Sequence, residues 1–68
     1  MMDAEQYQFL EALERVGPTF RRGLPCGTEE QNQARQKLRK AGLARYGKKG
    51  WALEDAGRAA LAEHRRGK

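Results

Sequence analysis

The residues with recognisable chemistry gather in the middle of the chain. Asn32, Gln33, Arg35, Gln36 and Arg39 follow one another within about two helical turns. Asn and Gln offer a paired donor and acceptor that fit the edge of adenine, and the arginine fork fits guanine, which is the chemistry of reading base edges in a major groove. Lys37 and Lys40 interleave with them and suit phosphates instead. Arg21 and Arg22 upstream, and Arg45, Lys48 and Lys49 downstream, add cations for a phosphate backbone or a minor groove. The base-reading candidates are therefore Asn32, Gln33, Arg35, Gln36 and Arg39; the phosphate candidates are Arg21, Arg22, Lys37, Lys40, Arg45, Lys48 and Lys49. A polar outer face is common to any solvated helix, so this set gains meaning only from the elements that position it.

Other chemistries find little support. No nucleophile has a plausible base beside it, no glycine loop follows a strand to cradle a phosphate, and the carboxylates have nearby cations or helix starts to serve. The chain is not expected to be an enzyme and implies no cofactor or small-molecule substrate. One cysteine, Cys26, and one histidine, His64, make neither a disulfide framework nor a metal cluster. Cys26 reads as a half-buried filler and His64 as a partner for a helix dipole. Trp51 and Tyr46 interleave with basic residues, but Trp51 reads as a cap on the core rather than a base-stacking platform. No apolar run approaches the roughly 20 residues of a membrane span, and the acidic start lacks the basic region of a signal peptide. A cytoplasmic protein without membrane contact is expected.

The elements follow from periodicity and punctuation. Asp3 can cap a first helix to Val16, with Phe9, Leu10, Leu13 and Val16 on one face and Glu11 paired to Arg15. Gly17-Pro18 ends it. Residues 18–27 predict a turn or a single helical turn, with Phe20 and Leu24 as anchors into the core. Thr28 opens the next helix in a capping box with Gln31, and Glu29 and Glu30 favour its positive end. Those two acids also keep phosphates from that end. Ala34, Leu38 and Ala41 mark its apolar stripe, and Gly42 stops it.

After Gly42 the period becomes two. Leu43 to Tyr46 and Trp51 to Leu53 predict a β-hairpin around the glycine-bounded, basic loop Gly47-Lys48-Lys49-Gly50. Leu43, Trp51 and Leu53 must close the core, because an isolated two-stranded hairpin is marginal. A last helix, capped by Glu54 or Asp55 and supported by a Glu54–Arg58 pair, runs to about His64 with Gly57, Ala60 and Leu61 inward. Residues 1–2 and 65–68 are expected to fray. The fold class is thus mainly α with a two-stranded hairpin, ordered helix, turn, helix, hairpin, helix, in one domain over residues 1–68.

The run Leu38 to Leu61, LRKAGLARYGKKGWALEDAGRAAL, resembles the winged helix-turn-helix family. Leu38, Ala41, Gly42 and Leu43 match the end of that family's recognition helix; Trp51, Leu53 and Gly57 match the strand that leads into its closing helix. The resemblance implies a double-stranded DNA-binding module with the helix over residues 28–41 in the major groove and the wing over 47–50 on the backbone. It further implies a small transcriptional regulator or architectural protein of the bacterial or phage kind, working as a homodimer or with a partner protein. Two features depart from the pattern. The family's middle helix must be shortened or missing, since residues 17–27 contain Pro25 and three glycines, and Glu54 stands where a capping Thr is usual. The alternative on the same scaffold is a winged-helix module for protein–protein contact without DNA binding.

Charge supports an anionic partner. The 68 residues carry a formal +5 with 34 % charged residues and a mean hydropathy of −0.97. So small a chain has one thin core and no room for a buried catalytic cavity. Residues 1–17 hold Asp3, Glu5, Glu11 and Glu14 against Arg15, a net −3. Residues 18–53 hold nine cations against Glu29 and Glu30, a net +7. A molecule with a basic side and an acidic back is the expected result.

Overall fold

The computed structural model describes residues 3–67; residues 1–2 and 68 lie outside them, and with them part of the expected fraying. Along the chain come α1 (Ala4–Val16), α2 (Glu29–Lys40), β1 (Ala44–Gly47), β2 (Gly50–Leu53) and α3 (Asp55–Arg66). Among the described residues the protein is mainly helical, with β1 and β2 forming a two-stranded antiparallel hairpin.

Local chemistry sets most boundaries. At the start of α1 the Gln6 N–H donates to Asp3 Oδ1 (3.1 Å) while the Asp3 N–H donates to Gln6 Oε1 (2.8 Å), which satisfies the carbonyl oxygen of the buried Gln6 side chain. Gln31 and Thr28 repeat the arrangement at α2, and Gln31 Oε1 also accepts from Gly27. The end of α2 is a Schellman turn: the Leu43 N–H reaches Leu38 O (3.0 Å) and the Gly42 N–H reaches Arg39 O (3.2 Å), with Gly42 at φ +78°. The sharp turn delivers Leu43 against the core and starts β1. In the hairpin the positive φ falls on Gly50 (+91°), the position after the two lysines, as in loops that end in a glycine bulge.

The core joins Phe9, Leu10 and Leu13 of α1, Leu38 of α2, Ala44, Trp51 and Leu61, with Leu24 closing one edge. Leu43 and Leu53 lie against it as the sequence predicts. Two glycines permit the tightest approaches. A Cβ on Gly57 would stand 2.2 Å from Leu43 O, so α3 can sit against the backbone that joins α2 to β1 only without a side chain there. A Cβ on Gly50 would stand 2.5 Å from the Thr19 carbonyl, because residues 18–20 run directly beside the hairpin. Thr19 and Trp51 exchange both backbone hydrogen bonds (3.1 and 2.7 Å), so Thr19 forms a one-residue third strand.

Several expectations need correction. Phe20 does not anchor the core: Thr19 takes the inner backbone position, and Phe20 is left 53 % exposed. Val16 is 42 % exposed and lies toward Gly23 in the loop, while Gln6 and Ala12 complete the inner face of α1. Ala41 is exposed as the C-cap residue of α2. Residues 18–27 do form the turn expected of them, without a helix, around the Thr19 bridge, and Leu24 is buried as an anchor. Glu11 pairs not with Arg15 but, together with Glu14, with Arg65 (3.9 and 2.8 Å). Arg58 meets Asp55 rather than Glu54. Glu54 occupies the N-cap of α3 without a side-chain hydrogen bond, and α3 continues to Arg66 instead of fraying at Arg65. His64 lies stacked on Tyr7 across α1 and α3, with ring centroids 3.6 Å apart.

The two glycine contacts make a test. Gly57→Ala should lower the stability by about 1–3 kcal/mol through overpacking against Leu43. Gly47→Ala, where a Cβ meets nothing within 4 Å, should change it by less than about 0.5 kcal/mol. Urea unfolding of the two variants measures the contrast.

Candidate nucleic-acid interface

Burial of Ala34 and Leu38 fixes the rotation of α2, and successive residues then fan out by about 100°. Arg35 and Arg39, one turn apart, fall on the flank that faces the hairpin. With Gln36 they line a groove of about 290 Å³ whose other walls are Phe20, Arg21, Tyr46 and Trp51. The Arg35 guanidinium lies 5.8 Å from the Trp51 ring centroid, within cation–π range. Its Nε is buried and has no hydrogen-bond partner among the described residues. Arg35, a base-reading candidate, is therefore held partly against the protein's own indole.

A second hollow continues the first. Pro18, Thr19, Phe20, Arg21 and Arg22 line it together with Lys48 and Lys49. Phe20 and Arg21 belong to both, so one strip runs from the hairpin tip through the residue 18–22 segment to α2. Asn32 lies one turn before Gln36 on the same side of α2. Gln33 and Lys37 do not join the strip: Lys37 is about 160° around the helix from Arg35 and from Arg39. Lys40 is exposed between the two flanks. Arg45 is on the other face of the hairpin from Tyr46, where its Nε meets Glu54 Oε1 at 3.4 Å.

The ion pairs sort the cations. Arg45, Arg58, Arg65 and Arg66 are paired. Among the described residues none of Arg21, Arg22, Arg35, Lys37, Arg39, Lys40, Lys48 and Lys49 is in an ion pair. The hydrogen bond with Glu14, and then the charge of Glu14, raise the Arg65 pKa further above the ordinary arginine value. That clasp joins α1 to α3 and engages Glu11 and Glu14. Glu29 and Glu30 remain at the start of α2, so the middle and the C-terminal half of that helix carry the unneutralised charge.

The aromatic part of this surface is not evident from residue spacing. Phe20 and Tyr46 are 53 % and 52 % exposed and meet edge to face at 6.1 Å, and Tyr46 stands 5.3 Å from the Trp51 ring. Trp51 itself is 4 % exposed, in edge contact with Phe9, and belongs to the core. The available signal was the register: Tyr46 pairs with Trp51 in the hairpin, and Thr19 pairs with Trp51 from the other side. Among the described residues no three His, Cys, Asp or Glu side chains come together to hold a metal, and no helix is long and apolar enough to cross a membrane. No family model, curated protein or solved structure matches the chain.

The Arg35 placement is open to direct measurement, since Trp51 is the chain's one tryptophan. Arg35→Ala should shift Trp51 emission to the red and raise its quenching by acrylamide. Lys37→Ala, on the far flank, should leave both unchanged.

Proposed function

We propose that this chain is a DNA-binding module of winged-helix type that lays α2 in the major groove of a duplex and sets the Lys48-Lys49 hairpin tip on the flanking backbone. The observation that carries the reading is the strip of unpaired cations drawn from three separate segments, Arg21-Arg22, Arg35 with Arg39, and Lys48-Lys49. A duplex carries one negative charge per about 1.7 Å, so a face with several free cations and few acids binds it by releasing counterions. Gln36 and Arg39 are the base readers on this strip, with Asn32 beside them. Arg21, Arg22, Lys40, Lys48 and Lys49 hold phosphates. Arg45 contributes less than its charge suggests because Glu54 already neutralises it.

The missing middle helix is compatible with this arrangement. In place of a helix, the Thr19–Trp51 backbone pair holds residues 18–22 beside the hairpin, and the exposed Arg21 and Arg22 follow directly. A segment tied at one end by two hydrogen bonds presents cations without needing a helical turn. A single module buries a modest interface, so sequence discrimination is expected to come from a dimer or a neighbouring protein. Regulation of transcription and architectural bending of DNA are the roles such a module serves.

A salt titration tests the reading. The logarithm of the affinity for a duplex should fall linearly with the logarithm of salt, at about −0.9 per phosphate contacted. Lys48→Ala and Lys49→Ala should each shallow that slope by about 1 and weaken specific and random duplexes alike. Gln36→Ala should weaken a preferred site more than a random one. If Lys48→Glu with Lys49→Glu leaves low-salt binding unchanged, the hairpin tip does not touch the backbone. Absence of any duplex binding at low salt would favour the protein-contact module instead.

A further inference from the structure

We propose that the exposed edge formed by Phe20 and Tyr46 receives an unpaired base, so that the protein prefers a duplex carrying single-stranded nucleotides next to the site of α2. The inference rests on the duplex-binding reading and specifies the nucleic acid that this face takes. Phe20 and Tyr46 are half exposed and in edge-to-face contact at 6.1 Å, an arrangement that leaves ring surface open to a planar ligand. Trp51 below them is buried and supplies a rigid floor. Three guanidiniums, Arg21, Arg35 and Arg39, line the same groove, and no carboxylate does.

The occupant follows from these two properties together. Exposed rings alone would suit any apolar group, and cations alone would suit any polyanion. Aromatic faces set into a cationic groove fit a ligand that alternates planar rings with phosphates, which is a nucleic-acid strand with unstacked bases. A base inside an intact duplex has both faces covered, so it cannot use the rings; an overhang, a gap or a melted end can. The groove of about 290 Å³ is at the small end of ligand sites, which are roughly 300–1,000 Å³, and suits one or two rings rather than a longer stack. It adjoins, at Phe20 and Arg21, the hollow at Lys48 and Lys49, so a strand leaving the duplex would stay near cations.

The test compares three probes by fluorescence anisotropy: a blunt duplex, the same duplex with a single-stranded extension of about four nucleotides, and that extension made abasic. The extended duplex should bind at least about 5-fold more tightly than the blunt one, since stacking of one base contributes roughly 1–3 kcal/mol and 1.4 kcal/mol is tenfold. The abasic extension carries the same added phosphates and should lose most of that gain. Phe20→Ala with Tyr46→Ala should abolish the preference while blunt-duplex affinity stays within about 2-fold, and Tyr46→Phe should retain it. Both rings are half exposed, and a thermal melt confirms that the double variant is folded. Equal binding of the three probes overturns the proposal and leaves duplex binding standing. Equal gains from the normal and abasic extensions also overturn it, because phosphates alone would then account for the effect. Self-association lost in the double variant, with no change in DNA preference, would assign the rings to a second copy of the chain and overturn it as well. No binding to any probe removes the duplex reading and this inference with it.

Discussion

The backbone pair between Thr19 and Trp51 is the contact on which the rest of the structure depends. Two hydrogen bonds, 3.1 and 2.7 Å, tie the segment after α1 to the middle of the hairpin. The hairpin would be marginal as two strands, and this partner completes it on one side. The same residue then serves the core, since the Trp51 side chain meets Phe9 of α1 edge to face at 5.3 Å. One tryptophan therefore joins α1, the loop and the hairpin, and Arg35 brings α2 to its ring. The cost is steric: Thr19 comes so near that position 50 has no space for a Cβ. A glycine is required there by contact as well as by its positive φ.

Charge is arranged by the same economy of elements. A small domain has too little core to bury ionic groups, so every cation among the described residues is at least partly solvated and pairing decides which ones remain available. Arg65 bridges Glu11 and Glu14 across α1 and α3, and Arg58 and Arg66 find acids within a turn of α3. These are modest interactions energetically, since exposed pairs are worth about 0–1 kcal/mol. Their effect on the field is larger than their effect on stability. They occupy the cations of α3 and leave those of α2 and the hairpin tip uncompensated. Glu11 and Glu14 share one arginine and residues 1–17 keep their net −3, so the basic side faces away from an acidic first helix.

What was legible in the sequence was local. The Thr28–Gln31 box, the Gly42 stop, the basic loop and the inward Gly57 depend on residues close in the chain and on fixed spacings. The misread features depend on partners far away. Arg65 reaches Glu14 over 51 positions, and nothing near Arg65 signals it. Glu11 and Arg15 have the spacing of a helix pair, but Arg65 offers Glu11 a site it shares with Glu14. Phe20 reads from the sequence as an anchor into the core alongside Leu24. Strand alternation decided otherwise: once Thr19 pairs with Trp51, the next side chain must leave on the opposite side. The candidate site followed the same division. The cations were found by type, whereas the groove that groups Arg35 and Arg39 with Phe20 and Tyr46 exists only because the loop crosses the hairpin.

That crossing also gives physical meaning to the exposed rings. Burying a phenylalanine fully is worth about 1.5–3 kcal/mol, a sizeable share of the 5–15 kcal/mol that separates a folded domain from its unfolded chain. This chain leaves Phe20 and Tyr46 half exposed while burying Gln6 under a capping box. The thin core is therefore not completed with the apolar side chains at hand. Full burial of Phe20 would require its backbone to turn over, which would break the Thr19–Trp51 pair and release the hairpin. The backbone contact that assembles the fold is thus the constraint that keeps an aromatic edge at the surface, beside the cations of α2. Stability and an exposed ring surface are set by one interaction, so a change that buried Phe20 would also dismantle the strip around it.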